Sequence, residues 1–144
     1  IIRRTKMSAA SNFLENELLD HVLRGSGGAY TAPTTLYLAL FTSDGGLETN
    51  NTGDQTEIST SGSAYSRQSI AFNDASSGSA ANSATVTFSA ATANWGTVTH
   101  VAITDNATAG SGNILFHGAV TTSKTIESGD TFQVSSGNLT ITLA

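Results

Sequence analysis

Apolar residues near the N-terminus recur every three or four positions, a spacing that predicts an amphipathic helix. Leu14, Leu18 and Val22 form the stripe, and Leu19 and Leu23 widen it. Such a stripe has to be covered. The sheet of the same domain is the expected cover, and a partner subunit is the alternative.

The residues at the two ends of this stretch favour a helix over 12–24. Asn12 is a candidate N-cap with Glu15 three positions later, which is a capping-box pattern. Arg24 closes the last turn, and Gly25 suits the left-handed conformation that commonly follows a helix.

Beyond the helix, apolar and polar residues alternate, which is typical of β-strands. In the clearest strand, 35–42, Leu36, Leu38 and Leu40 face one side, and the other side is also apolar. A strand with two apolar faces is expected to be central and covered on both sides. Further short strands are predicted at 65–72, 84–88, 96–104, 113–118, 124–126, 131–134 and 139–143.

The strand pattern also predicts faces and pairing. In the strand at 96–104, strict alternation places Val98, His100 and Ala102 on one face. The last two strands are expected to pair with each other across the turn between them, and 76–83 is expected to be a loop. Short strands separated by turn signals indicate a mainly β fold: an antiparallel β-sandwich of about seven or eight strands with one N-terminal helix.

One long connection stands out in this pattern. The segment 43–63 is polar and rich in turn residues. A loop of about twenty residues is unusual in a compact domain, and such loops are often functional. We interpret it as a candidate contact loop, with a surface excursion of no binding role as the alternative.

The composition excludes several functions. Of the 144 residues, 12% are charged and none is cysteine. Phosphate contacts need clustered cations, so nucleic acid is not an expected partner. Without cysteine the chain has neither a disulfide framework nor a thiolate zinc site. No apolar run approaches the ~20 residues of a transmembrane helix, so a membrane is not an expected partner either.

The net charge of −5 is unevenly distributed. Arg3, Arg4 and Lys6 make the start basic, whereas the remainder is acidic. We therefore divide the chain into a basic arm, 1–11, and a single helix-plus-β-sandwich domain, 12–144. The arm could dock on an acidic neighbour, or it could be a flexible N-terminal segment that makes no contact. Opposite charges on arm and body also favour contacts between copies, so a homo-oligomer is expected.

Few residues could carry catalysis. His21 lies in the helix, and His100 and His117 lie on separate strands, with Asp105 after the first of them. With 19 serines a Ser-His-Asp set can always be sketched, but no nucleophile elbow and no metal-binding histidine spacing supports it. The acids of the loop 43–63 lack the order of an EF-hand. We expect no enzyme activity, no cofactor and no metal.

Aromatic and isolated charged residues supply the remaining candidates. Trp95, Tyr65 and Tyr30 could form a platform for a glycan or a partner, and the alternative is a place in the core or at its rim. Arg67 could pair with a carboxylate or reach a neighbouring subunit. The candidates for subunit contact are Arg3, Arg4, Lys6, Leu14, Leu18, Val22 and Arg67.

Seven sequence blocks follow one another along the chain: FLENELLDHVL (13–23), APTTLYLALFTSD (32–44), YSRQSIAF (65–72), NSATVTF (82–88), WGTVTHVAITD (95–105), GNILFHGAV (113–120) and SGDTF (128–132). In this order they resemble a family of small phage proteins commonly labelled tail fibre proteins. The resemblance covers about 12–144.

This resemblance implies a virion structural protein. It implies docking on other virion subunits, either as a tail-fibre or tail component or as a capsid decoration (cement) protein. A different class of function remains open beside it: a carbohydrate-binding adsorption module that recognises a glycan on the host surface.

Overall fold

The computed structural model describes residues 5–7, 9–24, 28, 30–49 and 56–143. In this part of the chain, one helix and ten strands form the regular structure. The helix is α1 (Asn12–Leu23). The strands are β1 (Thr5–Met7), β2 (Ala9–Ala10), β3 (Leu36–Phe41), β4 (Gln68–Ile70), β5 (Ser79–Ala81), β6 (Val86–Thr87), β7 (Gly96–Thr104), β8 (Ile114–Ile126), β9 (Gln133–Val134) and β10 (Leu139–Thr142).

The strands form three sheets. The largest has five strands in the order β2-β8-β7-β3-β4, and all its pairs are antiparallel. A three-stranded sheet has the order β1-β10-β5, in which β1 runs parallel to β10, and β6 pairs with β9. The predicted class, mainly β with antiparallel sheets and one N-terminal helix, is confirmed.

The main core lies between the five-stranded sheet and the two smaller sheets. Leu38 and Val101 enter it from the large sheet, and Val86, Val134 and Leu139 enter it from the small sheets. A cluster of aromatic rings fills its centre, with ring centroids 5.5 to 6.2 Å apart. The cluster consists of Tyr65, Phe88, Trp95 and Phe132.

A second, smaller core covers the opposite face of the large sheet. Ala39 and Phe41 of β3 pack there with Leu47, Ala102 and Ile114. Both faces of β3 are thus buried at its C-terminal half, as its two apolar faces predicted.

Strict alternation fails within β7. The pairing of β7 with β8 changes register between Val98 and His100. After this shift Val101 and Ile103 join Val98 in the main core, whereas Ala102 joins the second core. The prediction that Val98 shares a face with His100 and Ala102 is therefore wrong, because a register irregularity inverts the alternation of side chains.

Three predictions about individual strands are also wrong. The segment at 124–126 is the end of β8 rather than a separate strand, and 76–83 contains the strand β5. The last two strands do not pair with each other: β9 pairs with β6, and β10 pairs with β1 and β5.

Asn82 explains why the last two strands do not form a hairpin. Its main chain and side chain bind both polar groups of Leu139: Asn82 N donates to Leu139 O at 3.0 Å, and Leu139 N donates to Asn82 Oδ1 at 2.9 Å. The side-chain amide also donates to Ala84 O at 2.8 Å and to Ser135 O at 3.1 Å. Because Asn82 takes the main-chain groups at the start of β10, they are not available to β9.

Candidate interaction surface

The first turn of α1 is fixed to the sheet by a buried serine. Ser11 is the N-cap: its Oγ accepts from Leu14 N at 3.3 Å and donates to Ile114 O. Its main-chain N donates to Leu115 O at 2.9 Å, so one residue ties the helix start to β8. The prediction of Asn12 as N-cap is wrong by one position, because Ser11 satisfies the helix amide and β8 together.

The last two turns of α1 leave the sheet and expose their apolar side chains. Leu14 is buried and Leu18 is half-buried, but Leu19, Val22 and Leu23 are 56%, 73% and 74% exposed. We call these three residues the α1 ridge. The sheet of the same domain was the expected cover of the stripe, and in this structure it covers only the stripe's N-terminal part.

The far end of α1 has contacts of its own. Tyr30 N donates to His21 Nδ1 at 3.1 Å, which ties the returning chain to the last turn. Arg24 forms an exposed ion pair with Asp20 at 3.1 Å, and its main-chain N donates to Asp20 O. The predicted cap residue Gly25 lies outside the described residues. The ridge is therefore presented on a helix that is held at both ends.

The basic arm is described only in part. Arg3 and Arg4 lie outside the described residues. The main chain at Lys6 belongs to β1 and pairs with Thr140 of β10, so this part of the arm extends the three-stranded sheet. The hypothesis that the arm docks on an acidic neighbour stays a prediction.

Arg67 does not reach a neighbouring subunit, because it is buried in an ion pair. Its guanidinium binds Glu57 through two bonds of 2.8 Å, and only 4% of the residue is exposed. Further bonds go to Thr104 Oγ1 and to the main-chain oxygens of Asn106 and Ser111. Of the two alternatives in the sequence, the structure thus shows pairing with a carboxylate.

Two of the three platform candidates lie inside the main core. Trp95 is 5% exposed and Tyr65 is 3% exposed, so neither ring is accessible for stacking on a glycan. Trp95 Nε1 donates to Ser63 O at 2.8 Å. The Tyr65 hydroxyl donates to Glu57, and burial together with the Glu57 charge raises the Tyr65 pKa well above its usual value. Both rings lie in the core because a large aromatic side chain contributes most to stability when it is buried.

Tyr30, the third candidate, is half-buried rather than enclosed. Partial burial raises the pKa of its hydroxyl, and the charges of Asp105 and Glu17 add to the effect. Of the three rings that were predicted to form a platform, Tyr30 is the one that is partly accessible.

The long connection after β3 is fixed near its two ends. Leu47 is buried in the second core, and Ile58 N donates to Leu40 O at 3.1 Å. Residues 50–55 lie outside the described part of the chain, and the hypothesis of a contact loop at 43–63 stays a prediction.

His100 and His117 come together on the large sheet. His117 pairs with Ala102, and His100 pairs with Ala119, so the two histidines are diagonal neighbours on one face. His117 is 7% exposed, and no residue in the described part of the chain offers its Nε2 a hydrogen-bond partner. Burial lowers the His117 pKa, His100 lowers it further, and the carboxylates of Asp44 and Glu48 oppose the shift.

This burial predicts acid sensitivity. Because the folded pKa of His117 lies below the usual 6.5, the unfolded chain binds the proton more tightly. The stabilising effect of a neutral His117 is complete above about pH 6.5 and is lost as the pH falls through the folded pKa. We expect His117→Gln to flatten the fall in unfolding free energy below about pH 6.5, measured by urea denaturation at a series of pH values.

A direct measurement accompanies this experiment. An NMR titration of the imidazole signals is expected to give His117 a midpoint below 6.5. Parallel stability profiles for the wild type and His117→Gln would contradict the prediction.

An apolar cavity of about 280 Å³ opens between the sheets. Its wall combines Leu36 of β3 and Phe116 of β8 with Ile141 of β10. Leu143, which is exposed, also lines it. Nothing in the sequence pattern singled out this cavity, since its walls come from strands far apart in the chain.

Neither a metal site nor a membrane-spanning helix is present within the described ranges. There, no three His, Asp or Glu side chains are grouped closely enough to hold a metal ion. No helix in the same residues has the length and apolar character needed to cross a membrane. Asp105, part of the sketched catalytic set, instead accepts from the main-chain N and the side-chain amide of Asn113.

The fold and its surface define a small, mainly β structural domain with one projecting helix. A family described as Podophage GP4 fiber I protein gp80 matches residues 9–142, and the chain belongs to this family. The protein is therefore a phage virion component of the fibre type, which confirms the resemblance to phage tail fibre proteins. No curated protein matches the chain.

Proposed function

We propose that this protein is a non-enzymatic fibre subunit that docks on a neighbouring virion subunit through the α1 ridge. The observation that carries the proposal is the exposure of Leu19, Val22 and Leu23 side by side on one helix. Among the described residues, Leu143 is the one other large aliphatic residue that is exposed.

Burial of the ridge would supply much of the binding free energy. Moving one large aliphatic side chain from water into an apolar contact contributes about 1.5–3 kcal/mol. Three such side chains offset a large part of the translational and rotational cost of association.

The attachment of α1 reduces a second cost of binding. Ser11 holds the first turn against β8, and the bond from Tyr30 N to His21 holds the last turn. A ridge that is ordered before binding loses less conformational entropy when its partner covers it.

The family description favours a position in the fibre over capsid decoration. Glycan recognition has weaker support, because Tyr30 is the one accessible ring of the three candidates. The same proposal includes that the protein has no enzyme activity and no cofactor. It is supported by Asp105, whose carboxylate binds Asn113 rather than a histidine.

A variant with Leu19→Ser and Val22→Ser tests the proposal. Both changes are at exposed positions, so we expect the domain to fold. Its occupancy in phage particles is expected to fall by a factor of about ten or more. Quantitative mass spectrometry of purified particles measures the number of copies.

The matched control is Asn16→Ser, which changes an exposed polar residue of the same helix. It is expected to enter particles as the wild type does. Wild-type occupancy of the ridge variant would overturn the proposed docking surface.

A further inference from the structure

We propose that the turn 44–49 is a flap that opens in acid while the main core stays folded, with the buried His117 as its proton sensor. The flap contributes Leu47 to the second core, where Leu47 packs with Ala102, the cross-strand partner of His117. This inference concerns a conformational device and does not depend on the α1 ridge or on the subunit that the ridge contacts.

His117 lies on the second-core face of the large sheet, where a positive charge is unfavourable. It pairs with Ala9 of β2 and with Ala102 of β7, and alanine side chains cannot accept a hydrogen bond. Within the described part of the chain, its Nε2 has no hydrogen-bond partner. Both ring nitrogens of a protonated imidazole are donors, so protonation would bury a charged N–H group without an acceptor.

The charges that act on the titration of His117 come from two other elements. His100 of β7, on the same face, disfavours a second positive charge, whereas Asp44 and Glu48 of the flap favour one. β2 carries alanines only. β1 also lies beside β8, but the side chain of its Lys6 is outside the described residues. A positive charge there would act in the same direction as His100.

The balance of these influences keeps His117 neutral in the closed form. Burial is the largest influence and holds the pKa of His117 below its usual 6.5, with His100 adding to the effect. The two opposing carboxylates are on exposed residues, where water and salt weaken their attraction. In the open form the imidazole is hydrated and its pKa returns towards 6.5. Acid therefore favours opening, by up to about tenfold per pH unit between the two pKa values.

The flap is attached less extensively than the rest of the fold. Leu47 is the one buried residue of the turn, and the second core that it joins is much smaller than the main core. A single main-chain bond, from Asn12 N to Glu48 O at 3.1 Å, joins the described flap to α1. Segments with few buried contacts open at a lower free energy than the whole domain.

A hinge lies at the start of the flap. The chain is anchored just before it, because Thr42 N donates to Thr56 O at 3.0 Å and Thr56 Oγ1 donates to Ser43 O at 3.0 Å. Gly45 and Gly46 follow with φ of +55° and +79°, in the left-handed region that glycine adopts without strain. Opening can therefore pivot at this glycine pair while the residues before it stay in place.

Native-state hydrogen exchange of the full chain, followed by NMR from about pH 7.5 to about pH 5, tests the flap. Protection factors remove the intrinsic pH dependence of exchange. We expect the protection of the Leu47 amide to fall below pH 6.5 by up to about tenfold per pH unit. Because the flap opens alone, low urea is not expected to change this exchange. Exchange of the Phe88 amide, which bonds to Phe132 O in the main core, is expected to rise with urea.

Three variants separate the sensor from other effects. His117→Gln is expected to make the Leu47 protection independent of pH in this range. The matched control, His21→Gln at an exposed histidine of α1, is expected to follow the wild-type profile. Glu48→Gln, at an exposed position, replaces His117→Gln if circular dichroism shows that the latter does not fold. Loss of this carboxylate lowers the folded pKa of His117 further, so the fall in Leu47 protection is expected to be larger than in the wild type.

Each of four outcomes would overturn the inference. One is a Leu47 protection factor that does not change with pH, and another is a wild-type fall in a folded His117→Gln variant. The third is an equal or smaller fall in Glu48→Gln. The fourth is equal urea dependence of exchange at Leu47 and Phe88, which would show that acid unfolds the whole domain rather than the flap.

Discussion

Replacing Arg67 by methionine is expected to lower the unfolding free energy by about 3–5 kcal/mol, because Glu57 would remain charged in the core without its partner. The Arg67 side chain is fully enclosed, and that of Glu57 is 3% exposed. Urea denaturation followed by tryptophan fluorescence measures the change, since Trp95 lies in the same core.

The size of the effect follows from the position of the pair. Arg67 joins three parts of the chain: the end of the loop at Glu57, the strand β7 at Thr104, and the turn that contains Asn106 and Ser111. Loss of the guanidinium leaves two main-chain oxygens without this donor as well as the carboxylate. Each buried polar group left without a partner adds a further penalty.

An exposed ion pair provides the control. Arg24→Met breaks the Arg24–Asp20 pair, whose side chains are 62% and 48% exposed, and is expected to change stability by about 0.5 kcal/mol or less. The double variant Arg67→Met with Glu57→Leu is expected to recover part of the loss, since no charge remains buried. Equal effects of Arg67→Met and Arg24→Met would contradict the prediction.

The second large effect is expected at Asn82. Asn82→Leu removes three side-chain hydrogen bonds, of which the one from Leu139 N is buried and the two to Ser135 O and Ala84 O are partly buried. It is expected to cost about 2–4 kcal/mol, because Leu139 N loses its acceptor and the two carbonyl oxygens lose a donor. The same urea experiment measures the cost.

The matched control is Asn73→Leu, at an exposed asparagine nine residues earlier. The unfolding free energy of this variant is expected to lie within about 0.5 kcal/mol of the wild-type value. Asn82→Asp distinguishes the effect of side-chain size from that of hydrogen bonding. Aspartate has nearly the same shape as asparagine, but it places a charged acceptor against two carbonyl oxygens where the amide donor was. Wild-type stability of Asn82→Asp at pH 7 would show that the amide donor is not essential.

The sequence determined the features that depend on local pattern. Spacing of three and four positions placed α1 to within a residue, because an amphipathic helix has that period wherever it packs. The two apolar faces of β3 indicated a strand covered on both sides, and its burial agrees. The ordered motif blocks indicated the phage fibre family, which the family match confirms.

Only the tertiary structure decided which residues meet. The sequence left Arg67 with two alternatives, and its partner Glu57 became evident once the loop returned beside β3. The sequence left Trp95 and Tyr65 with two alternatives, a platform or a place in the core, and the fold encloses both rings. The exposure of the α1 ridge depends on where the helix leaves the sheet, and the cavity depends on strands that are distant in the chain.

The physical reason is the range over which each property is fixed. Periodicity and capping act within a few residues, so the sequence carries them directly. Burial, register and ion pairing depend on groups brought together from distant segments, and a single irregularity, such as the shift after Val98, reverses which side chains face the core. For this protein the sequence determined the class and the family, and the tertiary structure decided which apolar side chains stay exposed.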